Sequence, residues 1–249
     1  MKYKTVALVI LIFLTTCKKD KLHVDYVPGG TELKYKITLS HDTIKELITY
    51  SNNKLISTKQ YSFNGSTAEI ITKNANGIVT EKSVYLFGSN GYAESSIDSS
   101  FSDTGSFAGI SISAYEYQNG FLTRHSVDTG KYVYTYTIID NNIASSNVAF
   151  PGWQSGCTDY YSYGAYLTTI DVRNFKNNLF GKPSNNLITH ASWENGCPCG
   201  PSSNPASSDF EYEFNKSGYV TKMKNYYIPC YHDGTTNLTG TVSTTIYEY

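Results

Sequence analysis

Asp209-Phe-Glu-Tyr-Glu-Phe-Asn-Lys-Ser-Gly-Tyr-Val-Thr-Lys-Met-Lys-Asn-Tyr-Tyr227 reads as one β-hairpin. Phe210, Tyr212 and Phe214 alternate with Glu211 and Glu213. A period of two puts the rings on one face of a strand and the charges on the other, where a helix would need 3.6. Asn215-Lys-Ser-Gly218 supplies the turn: Asn bonds locally through its side chain and Gly accepts positive φ. A loop of those four residues sets Phe214 against Tyr219, Tyr212 against Thr221 and Phe210 against Met223. It also sets Glu211 against Lys222 and Asp209 against Lys224. Such cross-strand charge pairs contribute roughly 0.2–1 kcal/mol each.

Outward from this hairpin the same grammar repeats. Turn signals stand at Ser51-Asn-Asn53, Asn64-Gly65, Asn76-Gly77, Asn90-Gly91, Asp103-Thr-Gly105, Asn119-Gly120, Asp128-Thr-Gly130 and Asn141-Asn142. Asn-Gly is the strongest short hairpin signal, because both central residues of a type I′ turn need positive φ. Between the turns lie strand-like runs such as 59–63, 69–73, 79–87, 110–117, 132–139 and 241–249. Thr43 to Tyr50 also fits a short helix through Ile44, Leu47 and Ile48. The fold class expected is all-β: an antiparallel meander of hairpins, strongly curved or barrel-like, which leaves few exposed edges. Residues 150–208 break the pattern and are expected to form an irregular insert within a single domain spanning 31–249. This insert contains Trp153 and Trp193, a candidate helical turn over 171–183, and Cys197-Pro-Cys199 at the head of a long loop.

Composition narrows the classes of function. Of 249 residues 16% are charged, 23 are tyrosine and the net charge is −1, so no electrostatic footprint for nucleic acid is present. Met1-Lys-Tyr-Lys4, the apolar run Thr5 to Leu14 and then Thr15-Thr16-Cys17 resemble a bacterial lipoprotein signal peptide. On that reading residues 1–16 are removed and Cys17 is lipidated. Residues 17–30, with Lys18-Lys-Asp-Lys21 and Pro28-Gly-Gly30, form a tether. Thr at both positions before Cys17 is bulkier than the usual Gly, Ala or Ser. The membrane is then met through several acyl chains, which anchor more firmly than one. Glu211, Glu213, Lys222 and Lys224 sit in mid-strand, so the sheet is expected to stand beside the membrane and not within it.

Four cysteines follow the signal: Cys157, Cys197, Cys199 and Cys230. In an oxidising envelope compartment an even number reads as two disulfides. A bridge between Cys197 and Cys199 is strained, so Cys157 and Cys230 are each expected to pair with one of them. The alternative is a zinc site with His190 and His232, although Cys-Pro-Cys is tighter than the usual zinc spacing. The expectation is no metal and no cofactor. Trp153, Tyr161 and Trp193 are candidate ligand-binding residues: rings on loops stack on sugars or anchor protein partners, or else plug the sheet as a small core. Gly152-Trp-Gln-Ser-Gly156 is no nucleophile elbow, and no phosphate loop, dinucleotide fingerprint or His-Glu-x-x-His occurs.

Tyr117-Gln-Asn-Gly-Phe121, Phe214-Asn-Lys-Ser-Gly-Tyr219 and Lys176-Asn-Asn-Leu-Phe180 with Ser184-Asn-Asn-Leu-Ile-Thr189 recur with the lipoprotein signal. Together they resemble Bacteroidetes cell-envelope lipoproteins of unknown function with YD-like hairpin repeats. The resemblance implies a porin-like antiparallel β fold and a cell-envelope location, and it implies no catalytic residue; with the lipid anchor, the location expected is the outer membrane, on its periplasmic side or at the cell surface. The function expected is therefore a lipid-anchored envelope scaffold, uncharacterised in role, that binds a glycan or an envelope protein without chemistry. The alternatives are an envelope enzyme acting on glycans and a purely structural component.

Overall fold

A computed structural model describes residues 23–40, 43–149, 157–167, 179–194, 203–232, 235 and 237–249. The signal, Cys17, Trp153, Cys197, Cys199 and the 171–178 part of the expected helical turn lie outside the described residues. Fifteen strands close into a barrel. They are β1 (His23–Ser40), β2 (Thr43–Ser51), β3 (Lys54–Asn64), β4 (Thr67–Asn74), β5 (Val79–Phe87), β6 (Ala93–Phe101), β7 (Phe107–Gln118) and β8 (Phe121–Val127). β9 (Tyr132–Ile139), β10 (Asn142–Ala149), β11 (Cys157–Leu167), β12 (Asn186–Glu194), β14 (Ala206–Phe214), β15 (Val220–Ile228) and β17 (Asn237–Glu248) complete it. The two-residue β13 (Ser203–Asn204) and β16 (Tyr231–His232) pair separately.

The barrel-like expectation holds, with one addition. An odd number of strands running alternately up and down leaves the first and last pointing the same way. The barrel therefore closes through a parallel seam between β1 and β17, with Val24 against Leu238 and Tyr35 against Tyr247. The seam corrects the tether boundary: from His23 the chain is already wall. Pro28-Gly-Gly30 bulges β1 between Pro28 and Glu32 without ending it.

Positive φ at Asn52, Asn53, Gly65, Gly77, Gly91, Gly105, Asn119, Gly120, Asn141 and Gly218 matches the turn signals. Thr43 to Tyr50 is strand and not helix, because Leu47 and Thr49 pair with Lys59 and Ser57 on one face of the neighbouring strand. The Asp209–Tyr227 hairpin keeps its predicted faces but not its register. The pairs are Tyr212 with Met223, Glu213 with Lys222 and Glu211 with Lys224. The turn closes at Asn215 and Tyr219, whose backbone N–H and C=O bond at 2.9 Å, and a bulge beyond Phe214 then absorbs one residue. Residues 150–208 are not wholly irregular: they contribute the wall strands β11 and β12 and the start of β14.

Register decides which side chains face inward. Ile37, Ile44, Leu187, Val220 and Tyr247 come from five strands and pack as one buried cluster, which only the interior allows. Stepping along paired residues from Ile37 leads through Leu47, Lys59, Thr72 and Glu81, so these face in as well. Their neighbours face out, and Ile97, Ile110, Ile112 and Ile139 are accordingly exposed. The apolar cluster occupies the end that carries the 65–66, 119–120 and 215–219 turns. Leu179 to Asn186 runs along the same end. Leu179 C=O accepts from Ala93 N–H at 2.8 Å, Lys182 N–H donates to Gly120 C=O at 2.7 Å, and Asn185 N–H donates to Asn141 C=O at 3.0 Å. The approach needs glycine: a Cβ at Gly181, which has φ +81°, would collide with the Gly120 carbonyl oxygen.

Candidate ligand-binding lumen

A barrel of eight strands is filled by its own side chains, whereas roughly sixteen leave an aqueous channel. With fifteen, the interior has room, and large side chains take part of it. Tyr115, His125 and Tyr134 are paired in register on β7, β8 and β9 and face inward. Their rings form a ladder: Tyr115 to His125 is 4.7 Å at 20°, and His125 to Tyr134 is 5.3 Å at 17°. Serines stand where the tyrosines need space. Ser96 lies against Ser113 on one side and Tyr85 on the other. Its Oγ is 2.9 Å from Tyr115 Oη and donates to Asp98 Oδ2 at 2.8 Å.

A second cluster follows on β10 and β11. Tyr161 Oη donates to Asp159 Oδ2 at 3.2 Å and lies 3.1 Å from Ser146 Oγ, which itself donates to Asp159 at 3.2 Å. Asp159 pairs with Trp193 and Tyr161 with Ala191, so Tyr161 and Trp193 share one inner wall. The Trp193 ring meets Tyr227 at 6.1 Å and 62°. From Leu179–Asn186, Phe180 reaches Tyr85 at 5.7 Å and Tyr115 at 5.2 Å.

The electrostatics follow from burial. Desolvation raises the Tyr115 phenol against the hydrogen bonds of Ser96 and Ser113, and it raises Tyr161 likewise. Tyr136 is pushed up to about 12, mostly by burial and then by Tyr161 and Tyr134. Burial lowers His125, while Asp98 pulls the other way. The wall from β6 to β11 therefore presents rings, hydroxyls and hydrogen-bonded carboxylates, while further round the inward Lys59 and Glu81 face each other as an ion pair at 3.8 Å. Two recesses are cut near the wall. One of about 190 Å³ is lined by inward Glu81, Asp98, Ser100 and Ser111 among others. Another of about 340 Å³ lies at the charge ladder of Glu211, Glu213, Lys222 and Lys224. There Glu213 accepts from Lys222 at 3.0 Å and Glu211 from Tyr226 at 2.8 Å, so its carboxylates are engaged.

The candidates from sequence fare differently. Trp193 and Tyr161 come together, on wall strands and not on loops. His190 sits on the outer wall with Nδ1 2.7 Å from Asp209 Oδ1, and His232 lies in β16. Among the described residues no three His, Cys, Asp or Glu side chains converge as a metal site. The ring ladder was missed, since Tyr115, His125 and Tyr134 belong to three hairpins. The available signal was Ser facing Tyr across successive strands.

No family model matches the chain, and no curated protein does. Among solved structures, a porin-like protein from Bacteroides vulgatus is 12% identical with a TM-score of 0.46, covering 78% of this chain and 93% of that one. A porin-like protein from Bacteroides uniformis is 13% identical with a TM-score of 0.56, covering 89% of this chain and 98% of that one. This barrel is similar in fold to the Bacteroides uniformis protein over nearly its whole length.

Proposed function

We propose that this chain is a lipid-anchored envelope barrel that binds a glycan in its lumen and performs no chemistry on it. The observation that carries the reading is the inner wall of Tyr115, His125, Tyr134, Tyr161 and Trp193, interleaved with Asp98, Asp159 and serine hydroxyls. Rings offer stacking faces and the hydroxyls and carboxylates offer hydrogen bonds, the two contacts a sugar makes. The envelope part rests on the Cys17 signal and on the likeness in fold. Its placement beside the membrane is supported by outward ion pairs spread around the wall: Lys82–Glu69, Arg124–Glu116 and Lys222–Glu213. A lipid-spanning barrel would show an apolar band about 25 Å tall in their place.

Two disulfides joining Cys157 and Cys230 to Cys197 and Cys199 belong to the same reading. Cys157 and Cys230 both stand at the end of the barrel opposite the apolar cluster. Intact mass before and after reduction counts the bonds, and four alkylatable thiols without reduction would remove them.

A second reading has an observation of its own. Ile97, Ile110 and Ile112 are exposed side by side on β6 and β7, and an envelope protein could dock there. A glycan array probed with the full chain in detergent, beside a Tyr134→Ala, Trp193→Ala double variant, separates the two. Binding lost in the variant supports the lumen. Absence of any glycan signal, with an Ile110→Lys variant losing a captured envelope protein, supports the outer wall.

A further inference from the structure

Among the described residues three buried side-chain polar atoms have no hydrogen-bond partner: His125 Nε2, Ser208 Oγ and Asn225 Oδ1. By register all three belong to the inner wall. Ser208 pairs with inward Ala191 and with Tyr227, and Asn225 lies two residues before Tyr227 on the same face. Buried polar groups are nearly always satisfied, because an unmade hydrogen bond leaves the desolvation of its atom uncompensated. Two such atoms on adjoining strands therefore need an account.

We infer that Ser208 and Asn225, with the ring pair of Trp193 and Tyr227, form the seat of a neutral sugar ring. The inference rests on the luminal glycan reading and names where in the lumen the sugar binds and what kind it is. Ser208 is only 1% exposed, and its neighbours Ala191 and Ala206 are small and buried, so the wall is thin here. Trp193 on β12 and Tyr227 on β15 flank the strand of Ser208, and their edge-on contact leaves a ring face for stacking. Ser208 Oγ donates or accepts and Asn225 Oδ1 accepts, so together they offer hydrogen bonds to the hydroxyls of a pyranose. Inward neighbours across β15 and β17 add more neutral groups: Asn225 pairs with Ser243, and Tyr227 with Thr241. The carboxylate nearest in register is Asp159, beside Trp193. It accepts from hydroxyls and repels a uronate or any other anionic sugar. Both orphan atoms are closed to solvent. The sugar therefore reaches them as the Trp193 and Tyr227 rings part to take it between them, and the unmet hydrogen bonds are satisfied on binding.

The test uses the full chain in detergent, titrated calorimetrically with methyl glycosides of glucose, galactose, mannose, N-acetylglucosamine and glucuronic acid. Wild type is expected to bind one or more of the neutral glycosides and not the glucuronide. Ser208→Ala and Asn225→Ala are each expected to weaken binding about tenfold. Ser208→Ala should leave Tm unchanged or raised, because it deletes an unsatisfied buried hydroxyl. Unaltered affinity in Ser208→Ala with a lowered Tm would mean that the hydroxyl holds a structural water, and it overturns the seat. Binding abolished by Tyr134→Ala but untouched by either variant overturns the seat and leaves the glycan reading standing. Absence of binding by wild type to any glycoside overturns both.

Discussion

Two parts of the inner wall are built from the same strands and differ in kind. At the end bearing the 65–66 and 215–219 turns, Ile37, Ile44, Leu187, Val220 and Tyr247 pack as a dry cluster with Tyr35, Leu47 and Met223 around it. Along β5 to β11 the inward side chains include Ser96, Asp98, Tyr115, His125, Tyr134, Asp159 and Tyr161, tied by hydrogen bonds and ring stacking. The cluster does what a core does, burying apolar side chains from strands far apart in sequence. The polar stretch holds its rings in place at a cost in desolvation, which a purely structural interior would avoid. On the proposed reading, stability belongs to the first stretch and recognition to the second.

The largest effect should come from the apolar cluster. Leu187 is fully buried on β12, and Leu187→Ala should cost about 2–5 kcal/mol, read as a fall in Tm or in the denaturant midpoint. A loss as small as that of a surface substitution would show that the cluster is no core. In the polar stretch, Tyr161→Phe removes contacts to Ser146 and Asp159 yet leaves those two bonded to each other. About 1 kcal/mol of stability should go, together with part of any luminal binding. If binding and stability were both unmoved, Tyr161 would not belong to the recognition wall.

The third prediction concerns pH. Burial lowers His125 below its ordinary value in the folded chain. Above the unfolded value of about 6.5 the ring is neutral in both states and stability is unaffected. As pH falls below it, the unfolded chain takes up the proton first, so stability declines until the folded value is also passed. Melting curves from pH 7.5 downward should show this decline, and His125→Gln should flatten it. A Tm rising with acid over the same window would reverse the assignment. The smallest effect lies outside the barrel. Glu213→Ala, which breaks the exposed pair with Lys222, should change stability by less than about 0.5 kcal/mol and leave binding alone.

The contrast between the two stretches was only half legible in the sequence. Period-two alternation and Asn-Gly turns placed most strands, and 79–87 and 132–139 coincide with β5 and β9. They could do so because strand faces and type I′ turns are local properties. The hairpin register differs because a bulge between Glu213 and Phe214 depends on how the turn closes, and composition does not show this. Thr43–Tyr50 was open to a helical reading because its partners lie on another hairpin. The parallel seam follows from an odd number of strands, and its first member was hidden because the start of β1 was read as tether. Trp193 and Tyr161 were singled out as rings. Ser208 and Asn225 were not, since an unmet hydrogen bond exists only once neighbours are known.

The central claim is that the polar inner wall receives a glycan. The chain has two tryptophans, so Trp153→Phe leaves Trp193 as the sole reporter on that wall. The most direct measurement is the emission of this variant during titration with any glycan that the array identifies. A saturable change in Trp193 emission, with the midpoint found by calorimetry, is the result the account predicts. Calorimetric binding with Trp193 emission unchanged would place the glycan elsewhere and contradict it.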